Sequence, residues 1–124
     1  FDDAIFSAGR LLQLLSQTTV SADACFAKYP VTVTTPEIKI QTSEDHKFAV
    51  MQQLAQEGDF GSGAITQIDG IRVDFDNGWG LIRPSNTSPV LSLRFEADTE
   101  ADLQQIQTLF QTQLQRVDSS LAFL

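Results

Sequence analysis

The sequence predicts an α+β domain: a mostly antiparallel four-stranded sheet with two helices packed on one face, preceded by an N-terminal helical appendage. Three observations carry this. Apolar stripes at helical spacing are separated by β-branched, alternating runs, and short turns join neighbouring runs, which suits antiparallel pairing. The character of the chain changes near Pro30, with helix-like segments before it and VTVTTPEIKIQT after it. Of the 124 residues, 42 % are apolar, enough for a core that buries roughly two-thirds of the unfolded surface at this length.

Each element has a local cause. Asp2 and Asp3 place negative charge at a helix start, and Ile5, Ala8, Leu12 and Leu15 recur at helical spacing, so a helix is expected over residues 3–16. Ser21 can cap a short second helix through Phe26, which Pro30 ends by confining Tyr29 to extended geometry. Residues 1–30 therefore read as the appendage and residues 31–124 as the compact domain. Glu37 to Gln41 alternates as a strand with Ile38 and Ile40 on one face. Thr42 or Ser43 caps the next helix, with Glu44 and Asp45 in its positive first turn. Phe48, Met51, Leu54 and Ala55 are its expected buried stripe, and Gly58 its stop.

The run AITQIDGIRVDFDNGWGLI is the strongest β signal. Asp69-Gly70 and Asn77-Gly78 are tight-turn dipeptides between alternating stretches. Ile71, Val73 and Phe75 share one face, with Arg72 and Asp74 on the other. Leu91, Leu93 and Phe95 then alternate with Ser92 and Arg94. Asp98 or Thr99 caps a long last helix in which Leu103, Ile106, Phe110, Leu114 and Val117 form the apolar face, and Arg116 sits in its last turn.

The formal charge of −8 argues against nucleic acid and anionic membranes as partners, since both call for a basic face. No apolar run approaches the ~20 residues that span a bilayer, and no signal peptide is read. Cys25 is the only cysteine; it reads as a small buried hydrophobe, and a cytoplasmic origin fits. The opening at Phe1, without a methionine, is expected to be a cut from a longer protein. His46 lacks companion ligands at metal-binding spacing and reads as a surface residue. The acidic pairs Asp2-Asp3, Glu44-Asp45 and Glu96-Asp98 read as helix-dipole compensation rather than acid–base pairs. No phosphate-binding glycine loop, dinucleotide fingerprint or nucleophile–base pair is present.

The stretch GWGLIRPSNTSP stands apart. Two prolines restrict it, Arg83 offers a planar fork of donors, and Ser85, Asn86 and Thr87 add hydroxyls and an amide. Backbone N–H groups in such a turn can converge on an anion. Two readings fit this spacing equally: an anion site, or an ordered β-connection whose polar side chains satisfy their own backbone while Arg83 pairs with a carboxylate.

The stretch DGIRVDFDNGWGLIRPSNTSPVLSLRFEADTEADLQQIQ resembles the C-terminal domain of bacterial phosphomannomutase/phosphoglucomutase enzymes, in the α-D-phosphohexomutase superfamily. The motif is Arg83-Pro84-Ser85-Asn86-Thr87-Ser88-Pro89, followed by the strand Leu91 to Glu96. FDDAIFSAGRLLQLLSQ is similar to the helix closing the third domain of these enzymes. TPEIKI and EDHKFAVMQQL stand where the fourth has its first strand and helix. The resemblance implies the TBP-like fold of the phosphoglucomutase C-terminal domain, and a hinge around Lys28-Tyr29-Pro30-Val31. It implies a four-domain cytoplasmic parent that interconverts hexose 1-phosphates and 6-phosphates through a 1,6-bisphosphate, using a phosphoserine and Mg²⁺. Arg83, Ser85, Asn86 and Thr87 would bind the non-reacting phosphate of mannose or glucose 1- or 6-phosphate. Asn86 and Ser88 would favour the mannose/glucose branch over the glucosamine branch. The phosphoserine motif, the aspartate-rich Mg²⁺ loop and the sugar-recognition loop are missing, so this stretch alone is expected to be non-catalytic, its partners being phosphosugars and the parent's other domains. The competing reading is a standalone, non-enzymatic α+β module that binds a protein partner through its sheet face or the Arg83 loop.

Overall fold

The computed structural model describes residues 3–124, so Asp2 of the first acidic pair lies outside the described residues. The chain divides into two compact units, with the division between Val31 and Thr32.

The first unit holds α1 (Ala4–Ser16) and α2 (Ala22–Phe26). Asp3 and Ser21 are the N-caps, accepting from the Phe6 and Ala24 amides, as short oxygen-bearing side chains do for the free N–H groups of a first turn. The apolar face of α1 is differently phased from the expected one. Leu11, Leu14 and Leu15 face Cys25, Phe26 and Tyr29 across a shallow hollow, while Ile5 is 88 % exposed and α1 buries no residue fully. Cys25 is half-buried rather than buried, because five residues of α2 offer too little cover.

The second unit runs β1 (Val33–Thr34), β2 (Ile38–Gln41), α3 (Glu44–Glu57), β3 (Ala64–Thr66), β4 (Ile71–Phe75), β5 (Gly78–Pro84), β6 (Val90–Ala97) and α4 (Glu100–Val117). All the strand pairings are antiparallel among the described residues. The sheet order is β1-β6-β5-β4-β3, with β2 also on β6. β1 and β2 lie end to end along one edge of β6, the first on Glu96–Ala97 and the second on Val90–Leu93. Pro36 falls between them, where a residue without an N–H interrupts a ladder. With the two- and three-residue strands β1 and β3 the sheet has six strands, two more than expected. Pieces that short show no alternation in sequence.

Helices α3 and α4 cover one face. Ser43 and Thr99 are the caps chosen from each expected pair, and Gly58 ends α3 with its N–H on the Leu54 carbonyl. Glu96, expected at a helix start, lies instead in β6 and accepts from the Thr32 hydroxyl at 3.0 Å. The core centres on Phe110, whose ring meets Phe60 at 4.9 Å and Phe95 edge-on at 5.2 Å between centroids. Gly80 makes this possible: a Cβ there would lie 2.5 Å from the Phe110 ring. Ile71, Val73, Ile82, Leu91, Leu93, Leu103, Ile106 and Leu114 complete the layer, while Val117 is half-buried.

The buried stripe of α3 departs from the expected one. It is Lys47, Val50, Met51 and Leu54; Phe48 is 53 % exposed and Ala55 is exposed too. A helical face one residue earlier points inward, because Lys47 finds hydrogen-bond acceptors there that its hydropathy does not announce. His46, on the outer side, bonds the Asp118 carboxylate at 2.7 Å and so ties the start of α3 to the end of α4. Asp118 also accepts from the hydroxyl and amide of Ser120. These bonds, Ser120's first, hold its pKa down at about 2.

Candidate functional site

The register of β5 against β6 decides which side chains meet. Leu81 is opposite Arg94 and Arg83 opposite Ser92, and opposed residues of an antiparallel pair share a face. Ile82, Leu93 and Phe95 point into the core, so Arg83, Ser92 and Arg94 lie on the sheet face away from the helices. Both arginines are exposed and line one hollow of 460 Å³ with Glu37 and Ser92.

Among the described residues neither guanidinium group enters a salt bridge. Among the described residues the ion pairs are Lys39–Glu37, His46–Asp118, Lys47–Glu44 and Arg72–Asp74. Arg83 and Arg94 enter none, although Glu37 lines the same hollow as Arg83. Glu37 is engaged elsewhere: the Ser92 hydroxyl donates to it at 2.5 Å and Lys39 lies 3.3 Å away. The hydroxyl first, then the ammonium and last the Arg83 charge, lower its pKa. Arg72 is likewise held by Asp74 and lies 4.1 Å from the centre of the Trp79 ring.

Arg83 rests against a glycine. Gly70 has φ +151°, and a Cβ there would lie on the Ile82 carbonyl oxygen and 2.7 Å from Arg83 Cβ. A side chain at position 70 would therefore push on the backbone that carries Arg83. On the other side Arg83 borders a second hollow of 380 Å³, shared with Pro84, Asn86, Asp69 and Gln52.

Beyond Pro84 the chain makes a closed loop. The Ser85 amide donates to the Val90 carbonyl at 3.0 Å, the Val90 amide to the Ser88 carbonyl at 2.8 Å and the Thr42 amide to the Pro89 carbonyl at 2.9 Å. Inside it the Thr87 amide donates to Ser85 Oγ at 3.3 Å, which leaves the Ser85 hydroxyl hydrogen available. The Asn86 and Ser88 amides have no partner among the described residues. Asn86 and Thr87 are exposed, while Ser85 is half-buried. The four residues singled out in sequence, Arg83, Ser85, Asn86 and Thr87, are thus brought to one connection.

Two further side chains lie beside this connection with little sign in the sequence. Arg94 is visible in the Arg-Phe-Glu that ends the strand motif, but its place beside Arg83 follows only from register. Lys47 gave no signal, being one more polar residue in a helix. Its side chain is 1 % exposed, and Nζ donates to the Ser85 carbonyl at 2.6 Å and the Ser88 carbonyl at 3.0 Å, with Glu44 Oε2 at 2.7 Å. It enters the loop from below.

Residues 37–112 match the family model described as the phosphoglucomutase/phosphomannomutase C-terminal domain. The chain belongs to that family. The phosphoglucomutase/phosphomannomutase match takes in Lys47, the loop after β5 and Arg94. Among named relatives, the phosphomannomutase/phosphoglucomutase of Pseudomonas aeruginosa is 53 % identical over 121 residues, covering 98 % of this chain and 26 % of the relative. The phosphoglucomutase of Neisseria gonorrhoeae is 41 % identical over 112 residues, covering 89 % and 24 %. The crystal structure of a phosphoglucomutase/phosphomannomutase family protein from Burkholderia thailandensis superposes with a TM-score of 0.83 at 32 % identity, over 98 % of this chain and 25 % of that one. The chain therefore spans about a quarter of the length of these proteins.

Proposed function

We propose that the loop after β5 binds the phosphate of a phosphosugar, with Arg83 as its anchor, Ser85, Asn86 and Thr87 as further donors, and Arg94 as a second cation. The observation that carries this is the pair of guanidiniums on one sheet face, outside any salt bridge among the described residues, beside a closed loop with two unclaimed amides. A planar guanidinium matches two phosphate oxygens, and convergent N–H groups supply the rest. Such a site reads the phosphate and not the ring, so it accepts a hexose 1-phosphate and a 6-phosphate alike.

In this reading the parent is a cytoplasmic phosphomannomutase/phosphoglucomutase that interconverts the two through a 1,6-bisphosphate. The phosphoserine and Mg²⁺ belong to its other domains, and residues 1–30 are the tail of the preceding domain with a hinge at 28–31. The part of this chain is to hold and orient the phosphate that does not react. The names of the relatives, phosphomannomutase/phosphoglucomutase and phosphoglucomutase, support that substrate class.

The test is Arg83→Ala in the complete enzyme. Loss of a charge-assisted hydrogen bond of about 1.5–3 kcal/mol lowers kcat/KM roughly ten- to a hundredfold for both sugar phosphates. Unchanged kcat and KM for both would refute the assignment.

A further inference from the structure

Lys47 is buried beneath the loop and its ammonium bonds two loop carbonyls. A trans peptide is planar and its C=O and N–H point in opposite directions. No peptide among the described residues is cis. With the Ser85 carbonyl drawn inward to Lys47 Nζ, the N–H of Asn86 must point away from Lys47. That amide is one of the two left unclaimed. The Ser88 carbonyl, drawn in the same way, belongs to a peptide whose nitrogen is Pro89 and has no N–H to lose. An ammonium offers three donors and no acceptor, and all three are used here, on Ser85, Ser88 and Glu44.

From this geometry we infer that Lys47 is a positioning residue for the anion site: it sets the Asn86 amide outward and places a cation under the loop. This rests on the phosphate reading above, but its structural half can be tested without phosphate. A lysine that only filled core volume would be replaced by methionine with little consequence for the loop, since Val50, Met51 and Leu54 are apolar on the same buried stripe.

The experiment uses the 124-residue chain with uniform ¹⁵N labelling. In phosphate-free buffer, Lys47→Met should shift the Ser85 to Val90 amides and speed hydrogen exchange of the bonded Ser85 and Val90 amides at least tenfold. The affinity for inorganic phosphate should fall at least tenfold. In the unaltered chain, where no variant has to fold, saturation with phosphate should shift the Lys47 ammonium resonance together with the Asn86 amide. Loop shifts and exchange unchanged in Lys47→Met overturn the inference. So does a Lys47 ammonium that stays still while phosphate moves residues 83–87. A chain in which phosphate moves none of residues 83–87 instead refutes the phosphate reading, and the phosphate-free comparison still decides whether Lys47 shapes the loop.

Discussion

Gly70 and Arg83 show how one missing side chain sets another's position. The Gly70 backbone reaches φ +151° against the Ile82 carbonyl and the Arg83 Cα and Cβ, so β4 begins directly under the arginine. Alanine there would have to adopt a conformation that L residues disfavour and would also meet atoms that cannot retreat. Gly70→Ala is expected to cost about 1–3 kcal/mol of stability, measured by urea unfolding, and to weaken phosphate binding by tilting Arg83. Unfolding and affinity both equal to those of the parent chain would show that the contact yields easily. The sequence marked Gly70 as a turn residue, which it is; its closeness to Arg83 depends on the pairing of Ile71 with Ile82 and had no local sign.

At the scale of elements, alternation and capping were legible because they are local. Ser43 and Thr99 each accept from the amide three residues on, and the apolar face of α4 follows its spacing from Leu103 to Leu114. The phase of α3 was not legible. Phe48 outranks Lys47 on any hydropathy scale, yet the helix buries the lysine because two carbonyls and a carboxylate await its ammonium. Phe60 was hidden too: it sits in a stretch that reads as loop, and only the packed α4 gives its ring a partner. The site divides the same way. Arg83, Ser85, Asn86 and Thr87 were recognisable as a motif, whereas Arg94 and Lys47 needed register and packing. The shared dependence of both helices and the sheet on Phe110 gives a direct test. Phe110→Ala removes a ring enclosed by Phe60, Phe95 and Gly80, and should lower stability by about 3–5 kcal/mol. A loss under about 1 kcal/mol in denaturant unfolding would mean that the layer refills the space.

For the molecule as a whole, acid is informative. Asp118 joins the end of α4 to the start of α3 through His46 and anchors Ser120. Its folded pKa is depressed, from 3.8 to about 2. The contribution of a depressed carboxylate is complete above its unfolded value and is lost as pH falls through the folded one. Thermal unfolding of the parent chain and Asp118→Asn should therefore differ most above about pH 4, and the gap should close on the way down to about pH 2. A gap that stays constant through that window would assign the effect to something other than ionisation. No helix among the described residues is long and apolar enough to cross a membrane, and with a net charge of −8 two neighbouring arginines outside any salt bridge among the described residues are an uncommon local concentration of positive charge. That contrast is the physical basis for reading an anion site in an acidic chain.

The central claim is that residues 83–87 hold a phosphate. Amide-shift titration of the ¹⁵N-labelled chain with glucose 1-phosphate, with glucose run in parallel, tests it most directly. The account predicts that Arg83, Ser85, Asn86 and Thr87 move on a common curve with a dissociation constant near ~1 mM, a value fitting a site deprived of the rest of its cleft, and that glucose moves none of them. Stationary resonances at all four positions while another surface responds, or the same shifts produced by glucose, would contradict it.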